Sequence, residues 1–114
     1  MESILNSVKK IVNVSLEDDS FDQDLIIYTN TILAVLTQMG VGPVEGFVIT
    51  GEGETWEDFV GDDIRIQLIK TYVGLRVRMM FDPPTNSSAV QAFDNSIQET
   101  QWRIYAMTNY GGWT

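Results

Sequence analysis

The ionisable side chains of this chain are sixteen carboxylates and seven lysines and arginines, with no histidine and no cysteine among 114 residues. That inventory excludes thiol nucleophiles, zinc–thiolate sites, Cys–His pairs and Ser–His–Asp triads before any motif is sought. The densest acidic group, Glu17, Asp18, Asp19, Asp22 and Asp24, offers the several hard oxygens that a calcium ion requires. Counted from Asp18 as first ligand, however, Gln23 stands where the tight-turn glycine belongs and Thr29 where the bidentate glutamate belongs. Solvated charge at the start of a helix is the better reading. The pairs Glu57–Asp58 and Asp62–Asp63 could divide acid and base work, but neighbours on a helix point about 100° apart and no apolar wall flanks them. Capping accounts for them more simply. Gly40, Gly42 and Gly46 are spaced G-x-G-x-x-x-G after a helical pattern, not G-x-G-x-x-G after a strand, so they do not make a dinucleotide loop. Trp56, Trp102 and Trp113 have faces on which bases could stack, yet stacking platforms come with a basic groove. Trp102 is read instead as packing beside the core, and Trp113 as a docking residue in a terminal tail.

Charge distribution says more than the total. The net charge is −9, which argues against wrapping nucleic acid through phosphate contacts. Residues 1 to 63 carry thirteen acids and two lysines, whereas residues 64 to 114 carry three acids and five bases. Arg65, Lys70, Arg76, Arg78 and Arg103 therefore lie on the last two long helices, where a neighbouring copy could present its acidic half. Head-to-tail contacts of this kind close into rings when the rotation permits. An ordinary solvated surface is the competing reading.

Apolar periodicity sets the elements that carry these groups. Ile4, Leu5, Val8, Ile11 and Val12 mark one face of a short first helix. An acidic link from Ser15 to Asp24 follows, in which Ser20 and Gln23 match a capping box for a second helix running to about Met39. Gly40 stops it. Gly40 to Glu54 holds five glycines and Pro43 around the β-prone run Phe47-Val48-Ile49-Thr50, which predicts a loop or short hairpin arm. Phe47, Val48 and Ile49 are either core or an apolar patch offered to a partner. Thr55-Trp56-Glu57-Asp58 caps a short helical turn ended by Gly61. Asp62 and Asp63 then start a helix that is apolar around much of its circumference and belongs centrally, ending at Pro83-Pro84. Asn86, Ser87 or Ser88 caps a last long helix with Val90, Phe93, Ile97, Ile104 and Met107 as its stripe. The fold class is mostly α: a small helical bundle with one β-prone loop or hairpin arm between the second long helix and the central helix.

Length and composition fit one domain, residues 1–107, followed by a tail, 108–114. With 44% hydrophobic residues the chain can fill a core without disulfide or metal staples. The first twelve residues lack the uninterrupted apolar segment of a signal peptide, and no stretch approaches the ~20 apolar residues needed to span a bilayer. The expectation is a soluble product whose lack of cysteine fits a reducing cytoplasm, with no membrane association.

Several stretches, in this order and spacing, carry a resemblance to a known family. They are the opening Met1-Glu2-Ser3-Ile4-Leu5-Asn6-Ser7-Val8-Lys9-Lys10, then Leu36-Thr37-Gln38-Met39-Gly40-Val41-Gly42-Pro43, and Trp56-Glu57-Asp58-Phe59-Val60-Gly61-Asp62. The stretch from Lys70-Thr71-Tyr72-Val73 to Phe81-Asp82-Pro83-Pro84 and the final Glu99-Thr100-Gln101-Trp102-Arg103 complete the set. The chain resembles phage head-tail connector (adaptor) proteins up to about Met107. The resemblance implies a virion structural protein at the head-tail junction, without enzyme activity or cofactor. It implies a ring, usually of twelve copies, beneath the portal protein and above a downstream neck or tail protein, with DNA passing through without specific binding. Acidic walls suit that task, because attraction to phosphate would hold the duplex. The arm residues Glu45, Phe47, Glu52 and Glu54 are assigned to the channel, as a flexible acidic projection, and Tyr110 and Trp113 to portal docking. Two rival functions are a cytosolic phage assembly chaperone and an acidic DNA-mimic inhibitor. The mimic requires carboxylates in phosphate-spaced rows, whereas here they gather at caps and loops.

Overall fold

Ser3 opens the first helix: its side-chain oxygen accepts from the Asn6 amide at 3.2 Å, satisfying one of the donors that a helix start leaves bare. The computed structural model describes residues 2–63 and 65–110, the side chain of Tyr110 excepted. Helix α1 spans Ile4–Ile11 and buries Ile4, Leu5 and Val8 completely or nearly so, as the apolar spacing requires. Ile11 lies at the edge of this face.

Helix α2, Asp22–Gln38, starts differently from the expected capping box. The Ser20 amide and hydroxyl both donate to the Asp18 carboxylate, and Phe21 takes the N-cap position with no side-chain bond. An ionised acceptor two residues upstream draws the hydroxyl more strongly than a cap would. Asp22 and Asp24 do occupy the first turn, where the helix dipole favours them. At the other end the stop is the expected one. Gly40 adopts φ 93°, its amide donates to Thr37 O at 3.0 Å, and the Val41 amide donates to Leu36 O at 2.9 Å. This double return is a Schellman turn, and buried Val41 and Leu36 supply its apolar contact.

No hairpin forms in the arm. The amide of Asn30 on α2 takes the place of a partner strand, donating to Ile49 O at 3.0 Å and accepting from Ile49 N at 2.8 Å. Ile49 is buried, and Phe47 packs on Phe59 with ring centroids 5.3 Å apart. The arm is thus laid along the bundle instead of standing clear of it, because Phe47 and Ile49 find apolar seats there, while Glu45 and Glu52 stay exposed. Among the described residues the one β geometry is an isolated bridge between Ser3 and Thr55, where Ile4 N donates to Glu54 O and Trp56 N to Glu2 O.

Helix α3, Trp56–Val60, begins with the predicted capping box between Thr55 and Asp58. Trp56 is buried, and its indole N–H donates to Ser7 Oγ at 2.9 Å, tying α3 to α1. Helix α4, Ile66–Phe81, starts three residues later than Asp63, which forms a preceding turn. As expected α4 is central, touching α1, α2, α3 and α5. Asn86 caps helix α5, Ser87–Tyr110, accepting from the Ala89 amide at 2.7 Å. The helix continues past Met107, so Thr108 to Tyr110 are helical. Helix α5 packs chiefly on α4 through the predicted stripe, with Ile104 fully buried.

Candidate functional site

The five predicted interface cations separate into two groups. Arg65 pairs with Asp63 at 2.6 Å, Lys70 with Glu2, and Arg103 with Glu99 one helical turn away at 3.0 Å. Carboxylates of the same chain thus hold all three. The Arg65 side chain, aided by its backbone amide, keeps the Asp63 carboxyl down at about 2. The Lys70 hydrogen bond holds Glu2 below the usual carboxylate range against the opposing effect of burial.

Arg76 and Arg78 have no carboxylate partner among the described residues. Arg76 donates to the Tyr72 hydroxyl at 2.6 Å and lies over the same ring, 5.5 Å from its centroid. Arg78 donates to Asp82 O at 2.6 Å and lies over the Phe93 ring.

The arm residues also divide. Glu45 and Glu52 are exposed, and Val44, next to Glu45 in the chain, is 96% exposed. Phe47 faces Phe59, and the Glu54 carboxylate turns back to accept from the Thr50 amide and, at 2.8 Å, from its hydroxyl. Burial pushes Glu54 up, but these bonds with those from neighbouring amides outweigh it and leave the group below its ordinary value. An open groove of about 400 Å³ lies between this arm and α2, lined by Asn30, Ala34, Thr37, Glu45, Phe47 and Val48. Tyr110 is the last residue of α5, and Trp113 lies outside the described residues.

Three features escaped sequence reading. Trp102 is 62% exposed rather than beside the core, and it stacks on Tyr105 with centroids 5.9 Å apart. Two residues from buried Ile104 is roughly 200° around a helix, so wheel arithmetic alone places Trp102 on another face. Gln98, Gln101, Trp102 and Tyr105, at i, i+3, i+4 and i+7, form with Met39 a second groove of about 290 Å³. Tyr72 donates to Gln101 at 3.0 Å, which connects this groove to Arg76 through two hydrogen bonds.

The second missed feature lies at the opposite end of α2. Lys9 is 3% exposed, and its ammonium meets Asp22 at 2.6 Å and Asp18 O at 2.9 Å. It thereby fixes the acidic link between α1 and α2. The third is that Leu16 and Phe21 of that link are 43% and 40% exposed, beside Glu17, Asp18 and Asp19. Hydrogen bonds from Ser15 and Ser20 hold Glu17 and Asp18 respectively below the usual carboxylate range.

Surface charge is more one-sided than composition. Eleven of the sixteen carboxylates are exposed, against two of the seven cations, Lys10 and Arg103. No helix among the described residues is long and apolar enough to cross a membrane. No group of acidic residues among them is arranged to hold a metal ion.

Comparison with curated proteins and with solved structures finds no match. The family model described as phage connector protein matches residues 4–111, which takes in all five helices and both grooves. With nearly the whole chain covered, this protein belongs to the phage connector family, a structural and non-enzymatic family.

Proposed function

We propose that this connector protein works as a head-tail adaptor, a ring of about twelve copies beneath the portal that encircles the DNA exit path and meets a downstream neck or tail protein. The observation that carries this reading is the near-absence of exposed cations on a family member whose surface is crowded with carboxylates. A duplex carries one negative charge per ~1.7 Å of axis, so a basic wall would bind it, while an anionic wall keeps it mobile. Glu45 and Glu52, exposed at the arm, are the carboxylates proposed for the channel wall; Phe47 and Glu54 hold the arm in place behind them. Arg76 and Arg78, lacking carboxylates of their own, are the cations proposed to meet the acidic half of the next copy. Arg65, Lys70 and Arg103 take a lesser part, since each already has an acid. Tyr110 and Trp113 are proposed to grip the portal.

Like-charged copies resist association until a template supplies contacts. The isolated protein is therefore a monomer or loose oligomer that orders on the portal. Native mass spectrometry with and without purified portal tests this. A ring only on the portal, lost in the Arg76→Glu/Arg78→Glu variant, supports the reading. A tight portal-free dimer at physiological salt, or a ring indifferent to that double reversal, contradicts it.

A further inference from the structure

We infer that the α5 groove formed by Gln98, Gln101, Trp102, Tyr105 and Met39 seats the acidic α1–α2 link of a second copy, with Leu16 as its apolar anchor. This rests on the ring reading and names the contact that would build it. The groove stripe is uncharged, all four α5 residues are exposed, and its stacked Trp–Tyr pair with Arg76 two hydrogen bonds away has the composition of an interface hot spot. Its volume of about 290 Å³ suits one or two side chains rather than a folded element.

The occupant follows from charge and from position. Arg76 calls for an acidic partner, and the link supplies Glu17, Asp18 and Asp19 directly after exposed Leu16, while Phe21 at its end packs edge-on against Phe81 of its own chain and holds the link's far side in place. Phe21 caps the start of α2 and Met39 its end, so the link and the groove lie about 27 Å apart at opposite ends of one rigid helix. A chain cannot place its own link in its own groove. A second copy can, and its free groove then accepts a third. Such a heterologous contact, repeated, yields a closed ring or an open filament according to the rotation per step. A small groove gives a weak single contact, consistent with assembly only where a template collects the copies.

The chain has no cysteine, so paired thiols report this contact cleanly. The double variant Asp19→Cys/Gln98→Cys is assembled on purified portal and oxidised. The expected result is a ladder of multimers joined by disulfides between position 19 of one copy and position 98 of the next. Adding Trp102→Ala should lower the yield about tenfold, the effect of losing one hot-spot residue, while the melting curve stays unchanged because Trp102 is exposed. A control pair, Glu52→Cys/Gln98→Cys, should give no ladder. Rings that form normally while the 19–98 disulfide is absent, or no more frequent than the control, overturn this contact and leave the ring reading standing. Position 98 cross-linking to the portal instead also overturns it. If the parent protein makes no ring on the portal, the ring reading fails first and takes this contact with it.

Discussion

Replacing Lys9 with methionine keeps most of the side chain's length but removes its charge and its three N–H donors. In the folded chain that side chain is 3% exposed, and its ammonium is ion-paired with Asp22 Oδ1 at 2.6 Å and donates to Asp18 O at 2.9 Å and Leu16 O at 3.5 Å. Breaking a buried ion pair from one side costs about 3–5 kcal/mol, because the remaining charge keeps its desolvation cost without its partner. Asp22 Oδ1 is buried, but the side chain as a whole is 28% exposed and can turn toward water once unpaired, which brings the expectation to the lower end, about 3 kcal/mol. Against a total of roughly 5–15 kcal/mol, that loss should lower the melting temperature by roughly 10–20 °C. Urea unfolding followed by tryptophan fluorescence, to which buried Trp56 contributes the change in environment, and by far-ultraviolet dichroism measures it, with an unchanged slope confirming that only stability moved. The double variant Lys9→Met/Asp22→Leu should recover much of the loss, since removing both partners leaves no unpaired buried charge. A Lys9→Met protein within about 0.5 kcal/mol of the parent would show that the clamp is hydrated and that the reasoning from its burial is mistaken.

Other outcomes follow from particular contacts. Gly42→Ala should cost clearly more than Gly46→Ala: both glycines have positive φ, but a Cβ at Gly42 would sit 2.5 Å from the buried Phe59 ring, whereas none of the described atoms lies within 4 Å at Gly46. Paired melting curves test the order, with Gly46→Ala costing about 1 kcal/mol. Asn30→Asp keeps the acceptor for Ile49 N but faces a carboxylate toward Ile49 O, so hydrogen exchange at residues 47–50 should accelerate while central α2 stays protected. In a carboxyl-resolved NMR titration Asp63 should titrate at about 2 and move back toward 3.8 in Arg65→Ala. Because its folded pKa is depressed, its contribution to stability is full above pH 3.8 and is lost as pH falls toward 2.

What was legible in the sequence was local chemistry with one dominant solution. Gly40 ends α2 because the left-handed turn needs no Cβ, and Thr55 with Asp58 caps α3 because the two bonds are reciprocal. The apolar pattern of residues 66–81 placed α4 at the centre. Readings failed where a competing partner stood nearby or far off in sequence. Ser20 could cap α2, but Asp18 is closer and charged. Residues 47–50 have the composition of a strand, but their ladder partner is a single amide nineteen residues away. Of the five cations grouped from charge distribution, three proved to be held by carboxylates of their own chain, a pairing visible for Arg103 and Glu99 at i, i+4 but not for Lys70 and Glu2. Trp102 is core-like by residue type, but its angle on α5 turns it away from buried Ile104 and into the aromatic groove.

An anionic connector that surrounds DNA without holding it is tested most directly by imaging the neck of purified particles at side-chain resolution. The expected result is this chain as a closed ring between portal and tail, with carboxylates outnumbering cations on the inner wall. An inner wall dominated by arginine and lysine, or a neck that lacks the chain, would contradict it.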